Sequence, residues 1–286
     1  MTARLKERQE EKIMKRVLTM FFSHFFADEG LYPAAGVPSA GYFILITTTF
    51  FCIITALNHT LQLSYEKIRR IIRWITGILW TLELIKIRYR FYYGNGENLN
   101  TWVPLYYCSI TLFAGLLSAI GHGVIQHVGD VFLCVGGLCG GICFLIYPAT
   151  SLMSFPVWHF LSIHSFLYHG CMTYLGILLN RSGLVRLDWH DFGYYALYVL
   201  FFCMIALRLN QRTGSNLMFI SNPLPGTMYS AVALLLKDLY TPAMILIQMT
   251  VPFLVIMWFK KNTDLLNRPY WYDGSFAVAH HHRHAL

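Results

Sequence analysis

The sequence is poor in charge. Only 13% of its 286 residues are Asp, Glu, Lys or Arg, roughly half the share of a soluble domain, and that is too little to coat a globule. Cysteines placed in loops are missing as well. Cys52, Cys108, Cys134, Cys139, Cys143, Cys171 and Cys203 all sit in apolar stretches, which argues against a disulfide framework. The N-terminus lacks the order of a cleaved signal peptide, because its first sixteen residues are mostly charged. Nor is there a folded basic patch for nucleic acid. The formal charge is +8, but the 22 Lys and Arg are spread over short connections, where they read as topology signals and contacts to anionic lipid. Membrane lipids are the expected partners and nucleic acid is not; nothing in the sequence sets an oligomeric state.

What is abundant is apolar surface: 56% of the residues are hydrophobic and 16% aromatic. Crossing a bilayer core takes about 20 apolar residues, and such runs fall at 41–58, 70–87, 103–121, 130–147, 157–179, 192–208 and 240–259. The fold class is therefore all-α, a polytopic bundle of about seven transmembrane helices that passes repeatedly through the cell membrane. Residues 1–40 form an N-terminal amphipathic interfacial segment, 41–260 the membrane domain, and 261–286 a polar, His-rich tail. Within the first segment Met14, Val17, Leu18, Phe21, Phe22 and Phe25 recur at helical spacing beside Arg4, Lys6, Arg8, Lys12, Lys15 and Arg16. Such a helix lies in the membrane interface or packs on the protein's own loops. The tail histidines His280, His281, His282 and His284 read as a disordered end rather than a metal site. The longest connection, 209–239, is a candidate re-entrant segment.

Alternation of the spans assigns polarity. If face X is the side holding the N-terminus, the third, fifth and seventh spans start there and the 209–239 connection lies there. Lys and Arg near the span ends are more numerous opposite X, and the six in the N-terminal helix reverse the balance, so the charge rule names no compartment.

Ionisable groups inside spans are costly and point to function or to satisfied pairs. Glu83 and Lys86, at i and i+3, lie within ion-pair reach near face X; they either fix helix position or line a polar cavity that holds a lipid headgroup. In the third span Cys108, Thr111, Gly115, Ser118 and His122 form one stripe of small or polar residues, the pattern of a packed helix face. Cys108 follows Pro104 by four residues and is expected in the first turns of that helix, where exposed N–H groups favour a thiolate. The fifth span carries His159, His164 and His169 at intervals of five, about 140° apart. They cannot share a face, so neither a metal nor another cofactor is expected there. His164 shares its face with Tyr168 and Cys171, whereas His169 follows Ser162 and Ser165. Counted from Pro104 and Val157, Cys108 and His164 lie about 6 and 10 Å in from X, close enough in depth to form a thiol–imidazole pair. Gly136, Gly137, Gly140 and Gly141 mark close helix packing. Asn216, in Gly214-Ser215-Asn216, either turns a loop or bonds a group in an X-side cavity.

Three strings taken in order, YEKIRRIIRWITGILWTLELIK, VPLYYCSITLF and RTGSNLMFISNP, resemble the YwaF-like family of bacterial multi-pass membrane proteins over roughly residues 65–260. That family is similar to a eukaryotic membrane acyltransferase that remodels ether phospholipids with a Cys nucleophile and a His. The resemblance implies that Cys108 is the nucleophile and His164 the base, with Ser109 standing where the eukaryotic enzyme has His and His169 as the competing histidine. The reading that results is a lipid-modifying enzyme working by acyl transfer or lipid hydrolysis. Cys108, His164 and Tyr168 would be its catalytic group, and Glu83, Lys86, Asn216 and His169 its substrate contacts. The alternative is a transporter or small-ligand binding protein that uses the same polar X-side groups.

Overall fold

The computed structural model describes residues 2–224 and 227–262, with backbone alone for residues 2–11 and Met228. The tail histidines lie outside the described residues. Every long element is helical: α1 (Thr2–Phe25), α2 (Ala40–Thr60), α3 (Tyr65–Tyr92), α4 (Thr111–Ile120), α5 (Gly123–Ile146), α6 (Phe160–Arg181), α7 (Asp191–Thr213), α8 (Met228–Leu236) and α9 (Tyr240–Asn262). Among the described residues four apolar stretches are long enough to cross a bilayer, those of α2, α5, α7 and of Tyr229–Asn262. The chain is a multi-pass integral membrane protein.

The expectation of about seven full spans is corrected at the third. Residues 103–121 do not form one helix: α4 starts only at Thr111 and holds 10 residues, about 15 Å of rise and half a crossing. The other six expected spans each correspond to a helix of 21 residues or more, but α3 and α6 are too polar to stand with the four apolar ones. α3 carries charge at both ends and Glu83 within, and α6 carries His164, His169 and Asn180.

The bundle is organised around α5 and α6. α5 is buried over 78% of its apolar length, while α2 is buried over 11%, which places α5 at the centre and α2 at the lipid-facing rim. α5 packs along α4 and α6; α3 touches α4 and α6; α2 lies on α6, and α9 on α7. The α5–α6 seam is close because of glycine. A Cβ on Gly141 would lie 2.4 Å from Thr173 Oγ1, and one on Gly176 2.6 Å from Leu138 Cβ. α5 also widens into a π turn over Leu133–Gly137. The Cys134 carbonyl there accepts from Asn180 Nδ2 at 3.1 Å, so a polar side chain of α6 satisfies backbone that the widening exposes.

Candidate functional site

Cys108 lies on irregular backbone, a correction to its expected place in the first turns of a helix. Pro104 keeps Val103 extended (φ −72°, ψ 122°), and helix geometry is regained only at Thr111. Irregular backbone at membrane depth must be satisfied by protein; ring-bearing side chains from two helices do this, and one from a third holds the first turn of α4. Tyr168 Oη of α6 donates to the Cys108 carbonyl at 3.4 Å, Tyr198 Oη of α7 to that of Ile110 at 2.7 Å, and Trp80 Nε1 of α3 to that of Leu112 at 3.2 Å. Tyr107 is held from the other side by Tyr195, hydroxyl to hydroxyl at 2.7 Å. The segment is thus a built, irregular arm rather than a frayed helix end. The Cys108 thiol donates weakly to the Gly140 carbonyl at 3.9 Å, next to Met172 and Tyr107, which approach the same glycine.

The three histidines of the expected fifth span have separate fates. His159 caps α6, its Nδ1 accepting from Leu161 N at 3.1 Å and its Nε2 donating to the Ala27 carbonyl at 2.9 Å. His169 donates from Nδ1 to the Ser165 carbonyl at 2.7 Å and stacks on Phe144 at 3.7 Å between ring centres. His164 is buried, stacks on Tyr168 with 5.8 Å between centres and 20° between planes, and leaves Nε2 without a partner among the described residues. Of His164 and His169, then, only His164 has a fully buried ring nitrogen, Nε2, without a described partner, and its ring lies near the Leu82 backbone.

Glu83 and Lys86 close on each other, Oε1 to Nζ at 2.6 Å, with Glu83 buried. The contact is an ion pair without the alignment of a hydrogen bond. Lys86 is near enough to both His164 and His169 to act on them electrostatically, and Glu83 acts likewise on Tyr168. Cys108 and His164 make no described bond to each other; Tyr168 is the residue they share. Asn216 is spent on its own loop. Its Oδ1 accepts from the backbone N–H of Ser221 and Asn222, its Nδ2 donates to the Asn222 carbonyl, and its backbone N–H donates to Asn100 Oδ1. Of the third-span stripe, Gly115 faces Thr76 and Ser118 bonds Asp130, so the stripe is a packing face.

Sequence reasoning missed the groups that hold the arm and the first turn of α4, Trp80, Tyr195 and Tyr198, because an aromatic in a span reads as filler. It also missed a second polar centre at the end opposite X. Arg69 holds Asp130 with two bonds, at 2.7 and 2.6 Å, and Ser118 donates to the same carboxylate. His127 meets Asp191 at 2.6 Å close by on α5 and α7. The available signal was an Asp at the edge of an apolar run. Among the described residues no three His, Cys, Asp or Glu side chains cluster as metal ligands.

Comparison with protein families matches residues 34–261 to the TMEM164 family. That family consists of polytopic membrane proteins related to, and distinct from, the YwaF-like group that the motifs suggested. Searches of curated proteins and of solved structures gave no match.

Proposed function

The chain belongs to the TMEM164 family, and from that premise we propose that it is a lipid-modifying enzyme that carries an acyl group on Cys108. The observation that carries the reading is the bridge through Tyr168: it stacks on a buried His164 whose Nε2 is uncommitted and bonds the backbone of Cys108. In the first step the Cys108 thiol leaves the Gly140 carbonyl, gives its proton to His164 Nε2, and attacks the ester carbonyl of a phospholipid. A thioester forms, the ester C–O bond breaks, and the lysolipid alkoxide leaves with the proton from His164. A second lysolipid hydroxyl then gives its proton to His164 and attacks the thioester, which regenerates the thiol and a new ester. Water in place of that hydroxyl makes the reaction a hydrolysis. Glu83 and Lys86 set the charge around the imidazole, and the lipid-exposed rim of the bundle admits the acyl chain laterally.

The rival reading, a permeation path lined by Glu83, Lys86 and the histidines, draws no support from an ion pair that closes on itself at 2.6 Å. The test is transfer of a labelled acyl chain from phospholipid to lysophospholipid by purified protein in lipid nanodiscs. Cys108→Ser and His164→Ala should each lose about 100-fold or more, with Cys139→Ser retaining the parent rate. The parent should show an acyl adduct on Cys108 by peptide mass spectrometry. Turnover by both variants at the parent rate sinks the proposal.

A further inference from the structure

α1 leaves its apolar face uncovered by the protein. Ile13, Met14, Val17, Leu18 and Phe21 are between 47% and 60% exposed, so the helix does not pack on the protein's own loops along this stretch. Taking Met14 as zero on the helix circumference, Val17, Leu18, Phe21 and Phe25 fall within about 60° of it, while Lys12 and Arg16 lie about 160° and 200° away and Lys15 about 100° away. All three basic side chains are exposed. The helix is too charged to cross the bilayer, and residues 2–25 hold six basic against three acidic groups.

The C-terminal end of α1 is fixed to the bundle at face X. The Phe26 carbonyl accepts from Tyr93 Oη, and the Ala27 carbonyl from Tyr89 Oη and His159 Nε2. Phe25 and Phe26 both pack on Phe160, at 5.9 and 4.9 Å between ring centres. Tyr89 and Tyr93 lie at the end of α3, and His159 and Phe160 at the start of α6. The apolar stripe therefore runs outward from a seat at the mouth of the bundle, at the level where the X-side ends of the membrane helices meet lipid.

We propose that α1 is a docking element for an anionic bilayer leaflet: its apolar stripe sinks among the acyl chains at the rim of the bundle while Lys12, Lys15 and Arg16 hold phosphate or carboxylate headgroups. Charge complementarity selects anionic over zwitterionic lipid. The clamp at Phe26 and Ala27 ties the docked helix to α3 and α6, the two helices that carry Glu83, Lys86 and His164. The inference holds whether or not the chain transfers acyl groups.

The experiment uses the full chain in nanodiscs of phosphatidylcholine with about 30% phosphatidylserine, with the photo-crosslinker p-benzoylphenylalanine at position 21 and adducts read by mass spectrometry. Lipid adducts are expected, with phosphatidylserine enriched about twofold or more over its share of the disc. In the Lys12→Gln, Lys15→Gln, Arg16→Gln variant the adducts should remain and the enrichment should vanish. The crosslinker at position 12 should give markedly fewer acyl-chain adducts than at position 21. Adducts to a second copy of the chain instead of lipid, or phosphatidylserine at its bulk share in the parent, would overturn the proposal.

Discussion

His159 is neutral on both sides of its ring by construction. Nδ1 must be bare to accept from Leu161 N, and Nε2 must carry the proton that the Ala27 carbonyl accepts. Burial holds its pKa below the ordinary histidine value of 6.5. The sign follows. With the folded pKa below the unfolded one, His159's stabilisation is whole above about pH 6.5 and drains away as pH falls below it, because the unfolded chain takes up a proton that the fold refuses. Protonation at Nδ1 would also break the cap on α6. His159→Gln should cost about 1 kcal/mol at pH 7.5, the usual scale of a lost N-cap, and the gap in Tm between parent and variant should narrow as pH drops from 7 to 5.5. A gap that is constant over that range would show that the imidazole charge state is not what the cap depends on. The histidine pattern in the sequence was informative at this scale, since spacing alone ruled out one shared face. Which of the three kept a free nitrogen was not legible, because Ala27 and Phe144 reach them from distant parts of the chain.

Helices are where hydropathy reads well and where its blind spot shows. The long apolar runs of α2, α5, α7 and α9 follow from composition and length, as does the close α5–α6 seam from its glycines. The break before α4 does not. A stretch such as VPLYYCSI is as apolar as a helix, and its irregular path is held by Tyr168 and Tyr198, which donate to its carbonyls. Those donors are 60 and 88 residues away in sequence, and local periodicity has no access to them. The same limit applies to the glycines, which are alike in sequence and unlike in structure. A Cβ on Gly141 would meet Thr173 Oγ1 at 2.4 Å and the backbone carbonyl of His169 at 2.9 Å, whereas at Gly137 nothing is nearer than 3.8 Å. Gly141→Val should destabilise by about 1–3 kcal/mol or more, since helix backbone cannot step aside. Gly137→Ala should be neutral or slightly stabilising through helix propensity. Thermal unfolding in detergent distinguishes the two; equal Tm losses would mean that the seam is not set by approach at Gly141.

Across the whole molecule the polar groups divide between two ends. Cys108, His164, Glu83 and Lys86 gather towards X, an arrangement that span alternation made legible. The Arg69–Asp130 centre was hidden by a boundary: a span that starts at Asp130 puts this carboxylate at the membrane edge, while α5 begins about two turns earlier, at Gly123, and draws it inside. Along α3, Arg69 and Glu83 are separated by about 21 Å of helix rise, so the two centres share an element without sharing a contact. Their roles should therefore separate by mutation. Arg69→Met leaves the Asp130 carboxylate buried with Ser118 as its remaining described donor, and an uncompensated buried charge costs about 3–5 kcal/mol. Arg69→Met with Asp130→Leu removes both charges and should regain most of that loss, because a well-packed apolar pair often matches a buried ion pair. Lipid turnover by the folded double mutant should stay near the parent rate, as no group on the X side is touched. If the double mutant is as unstable as Arg69→Met, the cost lies in lost packing of the arginine stem rather than in the orphaned charge. If it is stable but inactive, the opposite end of the bundle takes part in the chemistry, and α3 is the element that connects them.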